Sequence, residues 1–206
     1  MMQTVSHRFI TVVMFALGLA TLSAHGHAQV LVTDFLGRDV SLAGPAVRIV
    51  SLMPSHTETL LAIGADDLLL AVDEASPQPA GGELPRTGSG FAPNIELIVS
   101  LEPDLVLTDA YSGVHAQLDE LGITTFAGTP ETLEAVLAFN AVVGVLTGRE
   151  EAAARLTARQ EAALEDMAQR TAVLSAPLVL VELDPTPFAA GPGSWVDDLL
   201  RLAGGS

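Results

Sequence analysis

The chain of 206 residues contains no cysteine. That excludes a disulfide framework, a thiolate metal site and a cysteine nucleophile. It also excludes the acylated cysteine that tethers many exported bacterial proteins, so a free, soluble mature form is expected. Lysine is absent as well. All nine basic residues are arginines, set against 25 acidic ones, for a formal net charge of −16. No basic patch is available to neutralise phosphates, which excludes nucleic acid as a partner. An anionic membrane surface would repel the chain, and a solvated acidic surface accounts for the charge without a basic partner. A nucleophile elbow, a P-loop and a dinucleotide fingerprint are also missing. The "GSG" at 88–90 lacks the later glycine and the strand-to-helix setting, and reads as a loop.

What is present starts with three consecutive signals. Residues 1–8 are short and basic, 9–22 form an almost unbroken apolar run, and "GHAQ" follows at 26–29. This is the pattern of a secretory signal peptide, with Gly26 and Ala28 suited to cleavage after Ala28. The apolar run is shorter than the ~20 residues a membrane span requires. Residues 1–28 are therefore expected to direct export, most naturally into a periplasm.

Beyond them, "VLVTDFLGRDVSL" at 30–42 alternates apolar and polar residues on either side of Gly37 and predicts a small hairpin. Strand patterns then fall at 47–52, 68–72, 105–108 and 124–127. Helical patterns fall at 57–63, 94–100, 114–121 and 131–146. Short apolar runs alternating with amphipathic segments predict an α/β fold, a parallel sheet flanked by helices. A long loop rich in Pro and Gly, "DEASPQPAGGELPRTGSGFAPN", separates the second strand from the next helix, and loops of that length are often functional. Residues 149–176 contain neither Gly nor Pro and predict one long helix of ~24 residues, roughly 36 Å. Such a helix could join two lobes or cover one. After Pro177, "PLVLVEL" predicts a strand, followed by a Gly/Pro-rich loop and a helix.

Candidate chemistry centres on "PSHTE" at 54–58. Ser55 and Glu58 stand in S-x-x-E spacing, which predicts a capping box at the start of a helix. His56 has no such duty. It lies after a strand, where open α/β sheets place their ligands, at a helix start that favours a polar or anionic group. His115 follows Tyr111 by four residues in the loop after the third strand, and both could approach the same rim. The histidines His27, His56 and His115 make no zinc spacing. Asp104 and Asp109 flank a strand without an evident catalytic partner. An enzyme is not expected.

Four stretches, "RIVSLMPSHTETLLAIGADDLLLAV", "FAPNIELIVSLEPDLVLTD", "LDELGIT" and "VELDPTPFAAGPGSWVDDLLRLAGG", resemble the periplasmic substrate-binding proteins of ABC importers for iron–siderophores, haem and cobalamin. The resemblance runs from about residue 30 to 206. It implies two α/β lobes, the first Rossmann-like, joined by a long backbone helix with ligand held between them. The expected division is a signal peptide at 1–28, an N-terminal lobe at 29–148, the linking helix at 149–176 and an incomplete start of the second lobe at 177–206.

Function is implied as capture and delivery of a metal chelate, cobalamin or a ferric siderophore, to an inner-membrane permease. A haem receptor using Tyr111 or His115 as axial ligand is the alternative within the family. A metal-dependent hydrolase built on His56 and Glu58, or an interaction domain without a working cleft, is the alternative outside it. The resemblance places Ser55, His56, Phe91, Tyr111, His115 and Phe188 at the ligand and Glu96 at the permease. Ala75 and Gln78 stand where cobalamin binders of this type carry aromatics. Trp195 is expected in the core. A monomer with no resident cofactor or metal is expected.

Overall fold

The computed structural model describes residues 29–184, 186 and 188–206; the expected signal peptide and His27 lie outside them. Strands β1 (Val30–Thr33) and β2 (Asp39–Leu42) form the predicted antiparallel hairpin, with Val30 opposite Leu42. Its turn is held by Asp34, which accepts the Leu36 and Arg38 amides at 3.0 and 2.9 Å. Strand β3 (Ile49–Ser51) leads into helix α1 (Pro54–Ala62), and a short 3₁₀ turn at Asp66–Leu68 leads into β4 (Leu69–Val72). The long loop contains a small hairpin, β5 (Gly88–Ser89) with β6 (Ala92–Pro93). There follow α2 (Ile95–Ser100), β7 (Leu105–Thr108), α3 (Val114–Glu120), β8 (Thr125–Ala127) and α4 (Leu133–Thr147).

β3, β4, β7 and β8 form one parallel sheet in the order β4-β3-β7-β8, with Ile49 level with both Leu69 and Leu105. The order places β3 and β7 centrally, and their residues are fully buried, apolar except for Ser51 and Thr108 at their carboxyl ends, as suits strands covered on both faces. One face carries Ile49, Leu60, Leu107, Phe126, Phe139 and Val143. The other carries Val50, Leu52, Val106, Ile98 and Leu118. Each such side chain contributes about 2 kcal/mol by leaving water. Helix α4 buries Phe139, Val143 and Leu146, and Thr132 caps it by accepting the Ala135 amide at 3.1 Å.

Helix α5 (Glu150–Thr171, 22 residues) is the expected long helix. Glu150 and Glu151 in its first turn and Arg170 in its last complement the helix dipole. Its first turns pack against α4. A Cβ on Gly144 would stand 2.6 Å from that of Ala153, so only glycine permits this approach. Asn140 donates to Gln160 at 2.6 Å one turn further on. Beyond Leu156 no α5 residue is buried, so the helix covers the first core with one end and extends from it with the other.

The C-terminal elements depart from expectation. The strand predicted through 177–183 is confined to β9 (Glu182–Asp184), which pairs antiparallel with β10 (Phe188–Ala189). Leu178 and Leu180 are exposed; a buried strand needs neighbours along its length, and among the described residues the main-chain bonds of 177–181 go to Ser206 and Ala190. Helix α6 (Trp195–Leu202) is capped by Ser194. Trp195, expected in the core, is 46% exposed at the first position of that helix.

Candidate functional site

The parallel sheet directs the loops after β3, β4, β7 and β8 to a single edge, where open α/β sheets bind ligands. The β5–β6 hairpin joins them there, as Glu74 donates its amide to the Gly88 carbonyl at 2.8 Å.

Helix α1 begins differently from the predicted capping box. Its N-cap is Met53, with no side-chain cap bond, and Pro54 opens the first turn. Proline is suited to that position because its φ is preset and it has no amide to satisfy. Ser55 therefore lies inside the turn, exposed, its carbonyl accepting the Thr59 hydroxyl at 3.0 Å. Glu58 points to solvent. Beneath the turn, the Thr57 hydroxyl lies 2.8 Å from both Ser51 Oγ and Ser76 Oγ, and Ser76 donates to the buried Asp73 carboxylate. Arg86 closes the network by donating to the Asp73 and Ser76 carbonyls, each at 2.7 Å.

His56 is inside the protein, 1% exposed, and not on the surface where the resemblance places it against ligand. Its Nε2 lies 2.8 Å from the Gly128 carbonyl, and its ring stacks on Phe139. A carbonyl accepts only from a protonated nitrogen, which makes Nε2 the donor and leaves Nδ1 as a buried acceptor without a partner. Burial pushes the imidazole pKa down to about 4, against the opposing pull of the Gly128 bond and the Asp109 and Asp73 carboxylates. The hydrolase alternative loses its premise. The imidazole is committed to the core while Glu58 faces water.

The loop after β7 is shaped by Asp109, itself 1% exposed. Its Oδ1 accepts the Tyr111 and Ser112 amides at 2.6 and 2.7 Å, while the Ala110 amide donates to Thr129 Oγ1 at 2.9 Å. Burial alone would raise the Asp109 pKa, but the bonds from Ser112 and Tyr111 outweigh it and the net shift is downward. The turn turns Tyr111 outward, 69% exposed, and its hydroxyl donates to the Glu131 carboxylate. That bond is the main reason the phenol's pKa is raised. Phe35, Leu36, Tyr111, Thr129 and Glu131 line an open depression of about 390 Å³ at this corner. His115 lies half-buried in the first turn of α3, with its Nδ1 unpartnered.

Phe91 is 61% exposed at the tip of the β5–β6 hairpin. The hairpin is held tightly against β3: a Cβ on Gly90 would stand 1.9 Å from the Leu52 carbonyl oxygen. Glu96 is exposed in the first turn of α2, whose cap Asn94 accepts the Leu97 amide at 3.0 Å. Phe188 lies in β10 opposite Asp184. At the same corner α6 meets the first lobe: Trp195 donates its amide to the Glu131 carbonyl at 2.8 Å, and Asp198 accepts the Leu133 amide at 3.1 Å. Sequence reasoning missed Glu131 and the shaping role of Asp109. The D-x-x-S spacing of Asp109 and Ser112 is a turn signal that could have revealed the latter.

A parallel sheet with exposed aromatics and hydrogen-bonding groups gathered at its carboxyl edge is the architecture of a solute-binding lobe. The model of the periplasmic binding protein family matches residues 49–206, and the chain belongs to that family. An ABC transporter substrate-binding lipoprotein of Bacillus subtilis is 26% identical over 184 residues, covering 84% of this chain and 59% of that protein. The solved vitamin B12-binding protein BtuF of Vibrio cholerae superposes with a TM-score of 0.67 at 28% identity, over 79% of this chain and 66% of that one. The periplasmic heme-binding protein RhuT of Roseiflexus sp. RS-1 gives 0.64 at 29% identity, over 77% and 64%. The chain thus spans less than two thirds of the length of each of these relatives.

Proposed function

We propose that this protein is a periplasmic receptor that captures a metal chelate, cobalamin or a ferric siderophore, and presents it to the permease of an ABC importer. The observation that carries this reading is the carboxyl edge of the sheet. Phe91 and Tyr111 stand exposed there on two separate loops, each fixed from behind by a buried contact. Exposed aromatic rings on rigid supports suit the flat or apolar periphery of a large chelate. His115 and Ser55 add hydrogen-bonding capacity at the same edge, and Phe188 is assigned to the facing lobe. His56 acts behind the surface, through Gly128 and Phe139, and is a positioning residue for the edge. Export by the 1–28 segment, a monomeric state and docking through Glu96 complete the proposal. The protein acts by binding and delivery, without catalysis.

Calorimetric titration of the purified protein with cyanocobalamin and with ferric hydroxamates tests the reading. Saturable binding of one of them supports it, and heat of dilution alone with all of them overturns it. The haem alternative draws on the likeness to a heme-binding protein and on the exposure of Tyr111. It predicts a Soret shift on adding haemin that Tyr111→Ala or His115→Ala removes.

A further inference from the structure

Between β4 and the β5–β6 hairpin the chain makes a compact loop whose ends lie side by side. The Val72 amide donates to the Pro85 carbonyl at 3.1 Å and the Thr87 amide to the Val72 carbonyl at 2.9 Å, so residues 85–87 run along β4 as its outer neighbour. Of residues 74–86 only Ser76 is buried. A surface segment with so little apolar anchoring is ordinarily among the first parts of a domain to open.

Here polar side chains replace that anchoring. The Gln78 side chain spans the loop, accepting the Leu84 amide at 2.8 Å and donating to the Leu84 carbonyl at 3.2 Å. Arg86 Nη1 donates to the Asp73 and Ser76 carbonyls at 2.7 Å each and lies 3.3 Å from that of Glu74. Ser76 is itself bonded to Thr57 of α1 and to the Asp73 carboxylate. Pro77, Pro79 and Pro85 limit the freedom the loop would gain by opening.

The chain passes from Arg86 straight into the hairpin. There the Glu74 amide donates to the Gly88 carbonyl at 2.8 Å, and the Thr87 carbonyl accepts the Asn94 amide at 2.7 Å. The guanidinium and these main-chain bonds clamp 73–76 and 86–88 to each other. Phe91 stands 61% exposed at the hairpin tip, so its place is set chiefly by the backbone that carries it.

We infer that the loop of residues 73–87 is a preformed mount for Phe91, and that Arg86 and Gln78 are positioning residues that hold the mount without touching ligand themselves. This rests on the receptor reading above and adds to it the residues that fix one of its aromatic contacts. A ring held in place before ligand arrives spares the ordering cost that a mobile loop incurs on binding. Gln78, with both ends of its amide engaged by Leu84, spends its hydrogen-bonding groups inside the loop.

The test is a double-mutant cycle on the purified protein, titrated calorimetrically with cyanocobalamin and with ferrioxamine B. For whichever probe binds, Phe91→Ala and Arg86→Ala should each weaken binding by about tenfold. The double variant should fall no more than about threefold below the poorer single one, because Arg86 acts only through the ring that Phe91→Ala removes. Hydrogen exchange should quicken at the Glu74 and Thr87 amides in Arg86→Ala and at the Leu84 amide in Gln78→Ala, while the Leu52 and Val106 amides of the sheet keep their protection. Wild-type affinity in Arg86→Ala, additive losses in the double variant, or loop amides unmoved by the substitutions overturn the positioning assignment and leave the receptor reading standing. Failure of the wild-type protein to bind either probe overturns the receptor reading, and the assignment with it.

Discussion

The imidazole of His56 stacks on the ring of Phe139, with centroids 4.7 Å apart and planes 29° from parallel, while its Nε2 donates to the Gly128 carbonyl. The contact ties the first turn of α1, the end of β8 and the middle of α4 into one unit behind the carboxyl edge of the sheet. It also makes stability depend on pH. The unfolded imidazole takes up a proton near 6.5 and the folded one only near 4, so between those values the unfolded state binds more protons. Stability from this group is complete above about pH 6.5 and is lost progressively as pH falls toward 4, by on the order of 3 kcal/mol. Urea unfolding at pH 7 and pH 5 should show about 2 kcal/mol of this loss, and His56→Asn should flatten the difference at the cost of a lower midpoint at pH 7. An equal pH dependence in the variant would refute the assignment.

Gly90→Ala should destabilise the protein by about 2 kcal/mol or more, because the added carbon meets the Leu52 backbone oxygen and not the movable end of a side chain. Gly81→Ala, where nothing lies within 4 Å, is the matched control. Comparable unfolding midpoints for the two variants would show that the hairpin does not press on β3.

Tyr111 is the only tyrosine in the chain, so ultraviolet absorbance titration reads it alone. The ionisation should occur above the ordinary value of 10, because the Glu131 carboxylate accepts the phenol's proton bond and opposes a second negative charge. Glu131→Gln should bring the transition down toward 10. A midpoint indifferent to the substitution would mean that the hydroxyl and carboxylate are apart in solution.

Glu96→Ala should leave ligand affinity and the unfolding midpoint unchanged, since its carboxylate is exposed and well capped helix geometry does not depend on it. Uptake through the cognate permease should fall roughly threefold or more if the charge docks there. Undiminished uptake would remove Glu96 from the docking surface.

The sheet was legible in the sequence because its strands are short apolar runs separated by helical periodicity, and β7 falls where the pattern of 105–108 predicts. The start of α1 was misread because S-x-x-E spacing is a local signal, and Pro54, one residue earlier, competes successfully for the first position. The burial of His56 was written in its spacing from Leu60 and Ile63, four and seven residues on, which places all three on one helical face. The partnership of Tyr111 with Glu131 had no such signature. It joins two loops twenty residues apart through the alignment of β7 and β8, and only the assembled sheet reveals it. The segment after Pro177 failed in the opposite sense. Its residues suit a strand, but strand formation depends on neighbours that sequence pattern does not specify.

The bond from the Trp195 amide to the Glu131 carbonyl gives the molecule a built-in optical probe. Trp195 is the chain's only tryptophan, and its half-exposed indole stands one residue contact away from the Tyr111–Glu131 pair. Its fluorescence therefore originates from a single place, the corner where α6 rests on the loop after β8. Emission wavelength and quenching by a coloured chelate can follow events at that corner in the unlabelled protein.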